Sequence, residues 1–485
     1  MKINLLSWDK TGVQRIVLSK RNYDREVAMK KTSVKKIAFF VALVMFCIVF
    51  LSSCEFLRAI FSTEEINRFQ PYEKTYSLKE ARLLEKADFR SLNSVDYSSM
   101  TGSLHVSESY VSAVNAFSER VYRAILAGGV TDGFSFSPLS LYEVLCIAAL
   151  GSDDETALAA LDNLLGMTKE TRKNDFISAY KKDFFANDRG TLQIYNAAFL
   201  TNDMAPNNNY VQELTDHYVE AFSMNFLSDE SVGKLLSWAN EKMGEQNFLK
   251  KEDLSLRPDT IAYLFSTIYF DNKWSSSFVL SGTTDDTFYG KNGNKTVPFM
   301  HHSYYGTVFD YGDYVACYDY YANGLRIKYL VPKEETDDIY ELTKNSDILS
   351  YVPENTESEG PVINLSVPRF SSEYTLDVAE TLGNMGLSCL FDRNGHSFNY
   401  MFSDLPTPYF TYLTAIKQKN KISFSEDGTI IKSTTYVQLG GAKSAAPHKD
   451  GETIDTYDIK LNQPFIYVVY DKNDLPLYVG HVDMP

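Results

Sequence analysis

For 485 residues the chain is poor in cysteine, proline and tryptophan, with five, 15 and three of each. The cysteines, Cys47, Cys54, Cys146, Cys317 and Cys389, are few and far apart, so no disulfide framework is implied. Catalytic signatures are missing too: there is no HExxH helix, CxxC pair, GxSxG nucleophile turn, Walker loop or GxGxxG turn. Neither a cofactor nor a metal is therefore implied. His301 and His302 are the only adjacent histidines, and with no cysteine or second His-carboxylate cluster nearby they read as a surface feature of a hairpin. Positive charge is in deficit, 47 Lys and Arg against 63 Asp and Glu, for a formal charge of −16. That balance opposes nucleic acid as a partner, because a phosphate backbone is bound by neutralising it.

Apolar residues make up 44% of the sequence and aromatic ones 14%, enough to build a large core. The first organised signal is Met29, Lys30, Lys31, Lys35 and Lys36 followed by an apolar run from Ile37 to Leu51, the charged and apolar regions of an export signal. The run is short for a bilayer span and ends in Leu51, Ser52, Ser53 and Cys54, which resembles the bacterial lipobox. That resemblance implies lipidation of Cys54 and a place in the cell envelope, on the outer surface or the periplasmic face. Residues 1–28 then read as an upstream extension before a true start at Met29, and 29–53 as the signal peptide. Residues 54–106 are charged, Ser-rich and weakly periodic, the composition of a tether, with a helix expected near Leu78 to Lys86.

From Ser107 the pattern changes. Val111, Val114, Phe117, Val121 and Ile125 recur at three- and four-residue spacing, which predicts an amphipathic helix. Helical patterns dominate early and strand-like alternation dominates from about Ile194, with a hairpin predicted at Asn292-Gly293. Such segregation predicts one α+β domain over residues 107–485.

Several segments carry a family resemblance in a fixed order. Phe134–Leu141 (FSFSPLSL) precedes an apolar helix and a turn at Gly151; Ser266–Trp274 (STIYFDNKW) is followed by Thr287–Tyr289 and Val297–Met300. Leu365–Phe370 (LSVPRF), Leu382–Phe391, Asn462–Phe465 and Tyr478–Pro485 complete the series. Together these resemble the serpins. The resemblance implies three β-sheets with about nine helices, an exposed reactive-centre loop between Glu426 and about Asn462, and a monomer. It implies inhibition of a serine, or also a cysteine, endopeptidase. The protease cleaves the loop, an acyl ester forms, and the freed segment enters the large sheet before the ester hydrolyses. The alternative within the same fold is a non-inhibitory surface binding protein.

By the same resemblance Glu426, Asp427, Gly428, Thr429, Ile430 and Ile431 form the proximal hinge, with glycine as the pivot. Strand alternation places Thr429, Ile431, Ser433 and Thr435 on one face and Ile430, Lys432 and Thr434 on the other. Ile431 is bulky where the family's inhibitors carry small residues, which predicts slow insertion. Loop length points to Ala442 or Lys443 as the residue before the cleaved bond, with Lys443 or Ser444 after it. An alanine there suits elastase-like or subtilisin-like proteases and a lysine suits trypsin-like ones. Lys273 and Trp274 match the upper end of the large sheet. Gly133, Ser137, Ser140, Ser266 and Gln418 stand where the family keeps a polar shutter beneath it, with Gly133, Ser266 and Gln418 departing from the pattern. Basic residues at Lys169, Arg172, Lys173, Lys181 and Lys182 are interleaved with acids, as on a solvated helix face.

Overall fold

The structure is a computed structural model. It describes residues 82–85 (backbone alone), 104–128, 133–254, 256–334, 338–353, 360–405, 409–431 and 455–485. All of these lie in one unit, Pro71–Pro485. Cys54, residues 1–53, and Ala442, Lys443 and Ser444 fall outside the described residues.

The described helices are α1 (Glu108–Ala127), α2 (Pro138–Leu150), α3 (Glu155–Leu165), α4 (Lys169–Lys182), α5 (Asn208–Asp216), α6 (Asp229–Lys242), α7 (Ile339–Thr343) and α8 (Ala379–Leu382). The first strands are β1 (Arg82–Glu85), β2 (Ser135–Phe136), β3 (Phe185–Asn187), β4 (Gly190–Thr201), β5 (Val219–Met224), β6 (Ala262–Lys273), β7 (Thr284–Gly290), β8 (Gly293–Tyr305) and β9 (Val308–Asp310). They are followed by β10 (Tyr314–Tyr320), β11 (Arg326–Pro332), β12 (Val362–Pro368), β13 (Phe370–Asp377), β14 (Lys417–Phe424), β15 (Gly428–Ile431), β16 (Thr456–Lys460), β17 (Phe465–Tyr470) and β18 (Pro476–Val482).

These form three sheets. The large one runs β1-β5-β4-β6-β15-β14-β13 with β3 beside β4; the others run β2-β18-β17-β11-β10-β9 and β16-β12-β8-β7. The hairpin at Asn292-Gly293 forms as predicted, Gly290 pairing with Gly293.

Two helix starts show how the sequence sets the frame. The Ser107 side chain caps α1 by accepting from the Tyr110 amide at 3.2 Å, and Val114, Phe117, Val121 and Ile125 of its apolar stripe are buried while Val111 is half-buried. In α2, Ser137 caps, Pro138 takes the first turn, and every residue except Val144 is buried. A helix buried on all sides has to be central. Accordingly α2 packs on β6 and on β18, and Tyr478 Oη donates to the Ile268 carbonyl at 3.3 Å to tie the two larger sheets together.

One local expectation is corrected. Instead of a helix near Leu78 to Lys86, Arg82–Glu85 is an edge strand antiparallel to β5. The free edge of β5 offers unpaired backbone groups to a passing segment, and pairing with them outweighs the local helical preference.

Candidate functional site

The site is built where β14 turns back into β15. Ser425 and Gly428 exchange backbone hydrogen bonds across this turn, the Ser425 amide donating at 3.0 Å and the Gly428 amide at 3.3 Å. A Cβ on Gly428 would lie 2.2 Å from the Asn272 carbonyl oxygen, so close backbone approach demands glycine here. The next three residues enter the large sheet between β6 and β14: Thr429 pairs with Asn272 and Phe424, Ile430 with Asp271 and Ser423, and Ile431 with Phe270. The proximal hinge is therefore a buried strand rather than the start of an exposed loop.

Aromatic packing holds this strand. Thr429 is fully buried and accepts from Tyr321 Oη at 2.9 Å. Tyr321 stacks on Trp274 with ring centroids 4.8 Å apart, and Trp274 Nε1 donates to the Ser425 carbonyl at 2.8 Å. The Glu426 carboxylate accepts from Arg369 Nη1 at 3.2 Å and from Thr283 Oγ1 at 2.8 Å. Backbone carbonyls of Glu426 and Asp427 accept from the Phe278 and Trp274 amides, both at 3.1 Å. Lys273, paired with Trp274 in the sequence reading, faces the other way: it is exposed and donates to the Asp188 carbonyl. Period-two alternation puts it on the outer face.

Below Ile431 the sheet is open. Residues 262–269 of β6 and 417–422 of β14 have no partner strand on their facing edges among the described residues. Between them lies a cavity of about 250 Å³. Its inner wall is α2, through Ser137, Ser140, Leu141, Val144 and Leu145. Its outer wall is the segment after α6, through Met243, Phe248, Leu249, Asp253 and Leu254.

A polar cluster lies at the foot of this slot. Gln418 clamps the start of α2, its Oε1 accepting from the Ser137 amide at 3.0 Å and its Nε2 donating to the Ser137 carbonyl at 2.8 Å. On the opposite bank Ser140 Oγ donates to the Ser266 carbonyl at 2.8 Å. Ser266 Oγ donates at 3.1 Å, and Asn196 Nδ2 at 3.2 Å, to one oxygen of Glu143. Burial pushes the Glu143 carboxyl up to about 7, against the pull of those two donors. One helix thus bridges both banks, to β14 through Gln418 and to β4 and β6 through Glu143.

Glu143 and Asn196 were missed from sequence. The available signal was a single carboxylate in the otherwise apolar helix PLSLYEVLCIAAL. Gly133 does not join the cluster; it sits against β18, where a Cβ would press on the His481 carbonyl at 3.0 Å and on Tyr374 Oη at 3.2 Å.

Two other readings are corrected. The His302 side chain is only 6% exposed, its Nε2 3.1 Å from Asp319 Oδ2 and its ring 4.1 Å from that of Phe278, which in turn packs edge-on against Trp274. Arg172 is buried as well, with Nη1 2.6 Å from Asp162 Oδ1, whereas Lys169 and Lys173 pair with Glu213 and Asp216 at 3.7 and 3.6 Å. Turning one residue of α4 inward is enough to take Arg172 off the solvated face.

Known proteins match this arrangement. The family model described as "Serpin (serine protease inhibitor)" matches residues 112–485. Alpha-1-antitrypsin of Meriones unguiculatus is 25% identical over 399 residues, covering 79% of this chain and 92% of that protein. Alpha-1-antitrypsin 1-5 of Mus musculus is 23% identical over 384 residues, covering 76% and 87%. Among solved structures, the thermophilic serpin tengpin in its native state superposes with a TM-score of 0.65 at 22% identity, covering 84% of this chain and all of that one. Its latent state gives 0.62 at 21% identity, covering 78% and 98%. With its three sheets, its hinge strand and a family match over most of its length, this chain belongs to the serpins, a family of protease inhibitors.

Proposed function

We propose that this serpin is a suicide-substrate inhibitor of an endopeptidase, trapping it by loop cleavage and insertion of the freed segment into the slot between β6 and β14. The observation that carries this reading is the chemical match between slot and loop. Ile431 pairs with Phe270 on one bank, and Ile430 with Ser423 on the other. Continuing that register would set Ser433 between Ile268 and Asn420, Thr435 between Ser266 and Gln418, and Val437 between Leu264 and Ile416. Thr435 would meet polar residues on both banks, Ser433 the polar Asn420 on one, and Val437 apolar residues on both, as a buried strand requires.

The position of Ile431 supports the same reading. That side chain already lies within the sheet, 2% exposed, so the bulky residue need not pass between the strands after cleavage. The inward residues still to enter begin with the small Ser433 and Thr435. A second reading, a non-inhibitory binding protein, is favoured by the same partial insertion, because each residue already in the sheet shortens the loop a protease could reach.

Cleaving the loop within residues 440–446 with a protease that the protein does not trap discriminates between the two. Insertion would pair both open edges and fill the cavity, so the urea midpoint should rise well above that of the intact protein. An unchanged midpoint would leave the non-inhibitory reading. The target is an elastase-like or subtilisin-like protease if the bond follows Ala442, and a trypsin-like one if it follows Lys443. Attachment to the envelope bilayer through acylated Cys54 belongs to the same proposal. Labelled palmitate should enter the wild-type precursor in a bacterial host, and its persistence in Cys54→Ala would remove the lipoprotein assignment.

A further inference from the structure

Away from the slot, one joint of the fold brings two carboxyl groups together in the interior. Asp183 follows the last residue of α4, and its amide donates to the Ala179 carbonyl at 3.0 Å to close that helix. Asp471 follows β17 and opens the turn that leads into β18. Neither residue has any exposure, and their side chains are in hydrogen-bond contact. Their other partners differ. Asp471 Oδ1 accepts from the Asn473 and Leu475 amides at 2.8 and 2.7 Å, and its Oδ2 accepts from Asn473 Nδ2 at 2.9 Å. No N–H or hydroxyl among the described residues reaches either oxygen of Asp183. A buried carboxylate without a donor is costly, and two carboxyl oxygens attract only when a proton lies between them.

The partner sets say where that proton sits. Asp471, held by three N–H groups, is the ionised member, and Asp183 is the neutral one that donates to it. The negative end of α4 acts in the same direction, since it disfavours a second negative charge at the helix C-terminus. Burial, and next the Asp471 charge, hold the Asp183 carboxyl well above the usual carboxylate range. Of the charged groups around the pair, Glu143 in α2 adds to this rise and Lys472 in the turn opposes it. Lys182 at the end of α4 donates to Asn473 Oδ1 at 3.0 Å, Asp474 pairs with Arg326, and β3 presents the Phe185 ring, 4.6 Å from Lys472 Nζ.

We propose that Asp183 and Asp471 share one buried proton, and that its loss frees the β17–β18 turn from the end of α4. Asp183 titrates near 3.8 in the unfolded chain, so the joint is fully held below that pH and weakens as pH rises through the higher folded value. Phe185 pairs with Leu192, Leu192 with Phe270 and Phe270 with Ile431, so the joint stands at the far end of the strand row that carries the hinge. Acid conditions fasten that row to the second sheet, whether or not the loop inserts.

Amide hydrogen exchange of the intact protein, followed across pH in wild type, Asp183→Asn and Asp471→Asn, reads the joint directly. Either asparagine supplies an N–H in place of the proton and has no charge to repel its partner. Residues 471–475 report on Asp183→Asn and residues 182–187 on Asp471→Asn, so neither reporter contains its own substitution and the ratio to wild type at each pH cancels the intrinsic exchange rate. In acid that ratio should be near one. At about one pH unit above the loss of the proton, the wild-type segments should exchange about tenfold faster than those of the variants. Infrared difference spectra on the acid side of that change, wild type minus each variant, should show one protonated carboxyl. A ratio near one at every pH, or difference spectra without a protonated carboxyl, would overturn the proposal. Protection that follows added calcium rather than pH would put a metal ion in place of the proton and overturn it as well.

Discussion

Replacing Thr429 by arginine should leave the loop cleavable and abolish the covalent protease adduct. Thr429 has no exposure, lies between Asn272 and Phe424 in the sheet, and spends its hydroxyl on Tyr321. No carboxylate is among those neighbours, so a guanidinium there would be buried without a counter-charge. Leaving such a charge unpaired costs about 3 kcal/mol or more, which is a factor of about a hundred or more in a rate or equilibrium. The arginine should drive the hinge out of the sheet and hold it out after cleavage. Turnover would then win, raising the number of inhibitor molecules consumed per protease by that factor. Thr429→Val keeps the shape and gives up only the bond to Tyr321, worth about 1 kcal/mol, so it should trap nearly as well as wild type. The same measurement on both variants separates charge from volume; an arginine variant that traps like wild type would remove Thr429 from the insertion pathway.

The second large effect concerns pH. In the unfolded chain Glu143 titrates near 4.5, and in the fold its carboxyl is pushed up to about 7 by burial. A carboxyl with a raised folded value leaves the fold unpenalised below about 4.5, and the penalty grows as pH rises to about 7, where it levels off. Over that window it amounts to about 3 kcal/mol. Glu143→Gln retains an oxygen for Ser266 and Asn196 and has no charge to bury. It should therefore match wild type at pH 4.5 and exceed it by about that amount at pH 8. Burial also pushes Glu119 up to about 7 and Lys328 down to about 7, so wild type alone has several pH-dependent contributions. The difference between variant and wild type, from urea midpoints at each pH, isolates Glu143. A difference independent of pH would mean that the folded carboxyl titrates as it does in the unfolded chain.

What could be read from sequence followed the scale of the forces involved. The α2 helix entered only through the FSFSPLSL resemblance, and its start at Ser137 and Pro138 came from the structure, whereas apolar periodicity made α1 visible because a stripe is local. The Asn292-Gly293 hairpin was legible for the same reason. Resemblance pointed to Gly133, Ser137, Ser140, Ser266 and Gln418 but gave no distances; the last four lie in one polar cluster, and Gly133 lies against β18. Other features depend on contacts made across the fold. Glu143 becomes a shutter group only when β4 and β6 bring Asn196 and Ser266 to it, positions 53 and 123 residues away along the chain. His302 is drawn inward by Asp319, and Arg172 by Asp162. Partial entry of Ile430 and Ile431 into the sheet is likewise a balance between strand pairing and loop freedom, and no spacing in the sequence encodes it.

The most direct test of trapping is a denaturing gel of the soluble domain after separate incubation with subtilisin, elastase and trypsin, with mass analysis of the released C-terminal peptide. Inhibition by insertion predicts a band at the summed mass of protease and cleaved serpin that survives boiling, and a peptide beginning at Lys443 or Ser444. Complete cleavage of the loop by all three enzymes, with no such band, would contradict it.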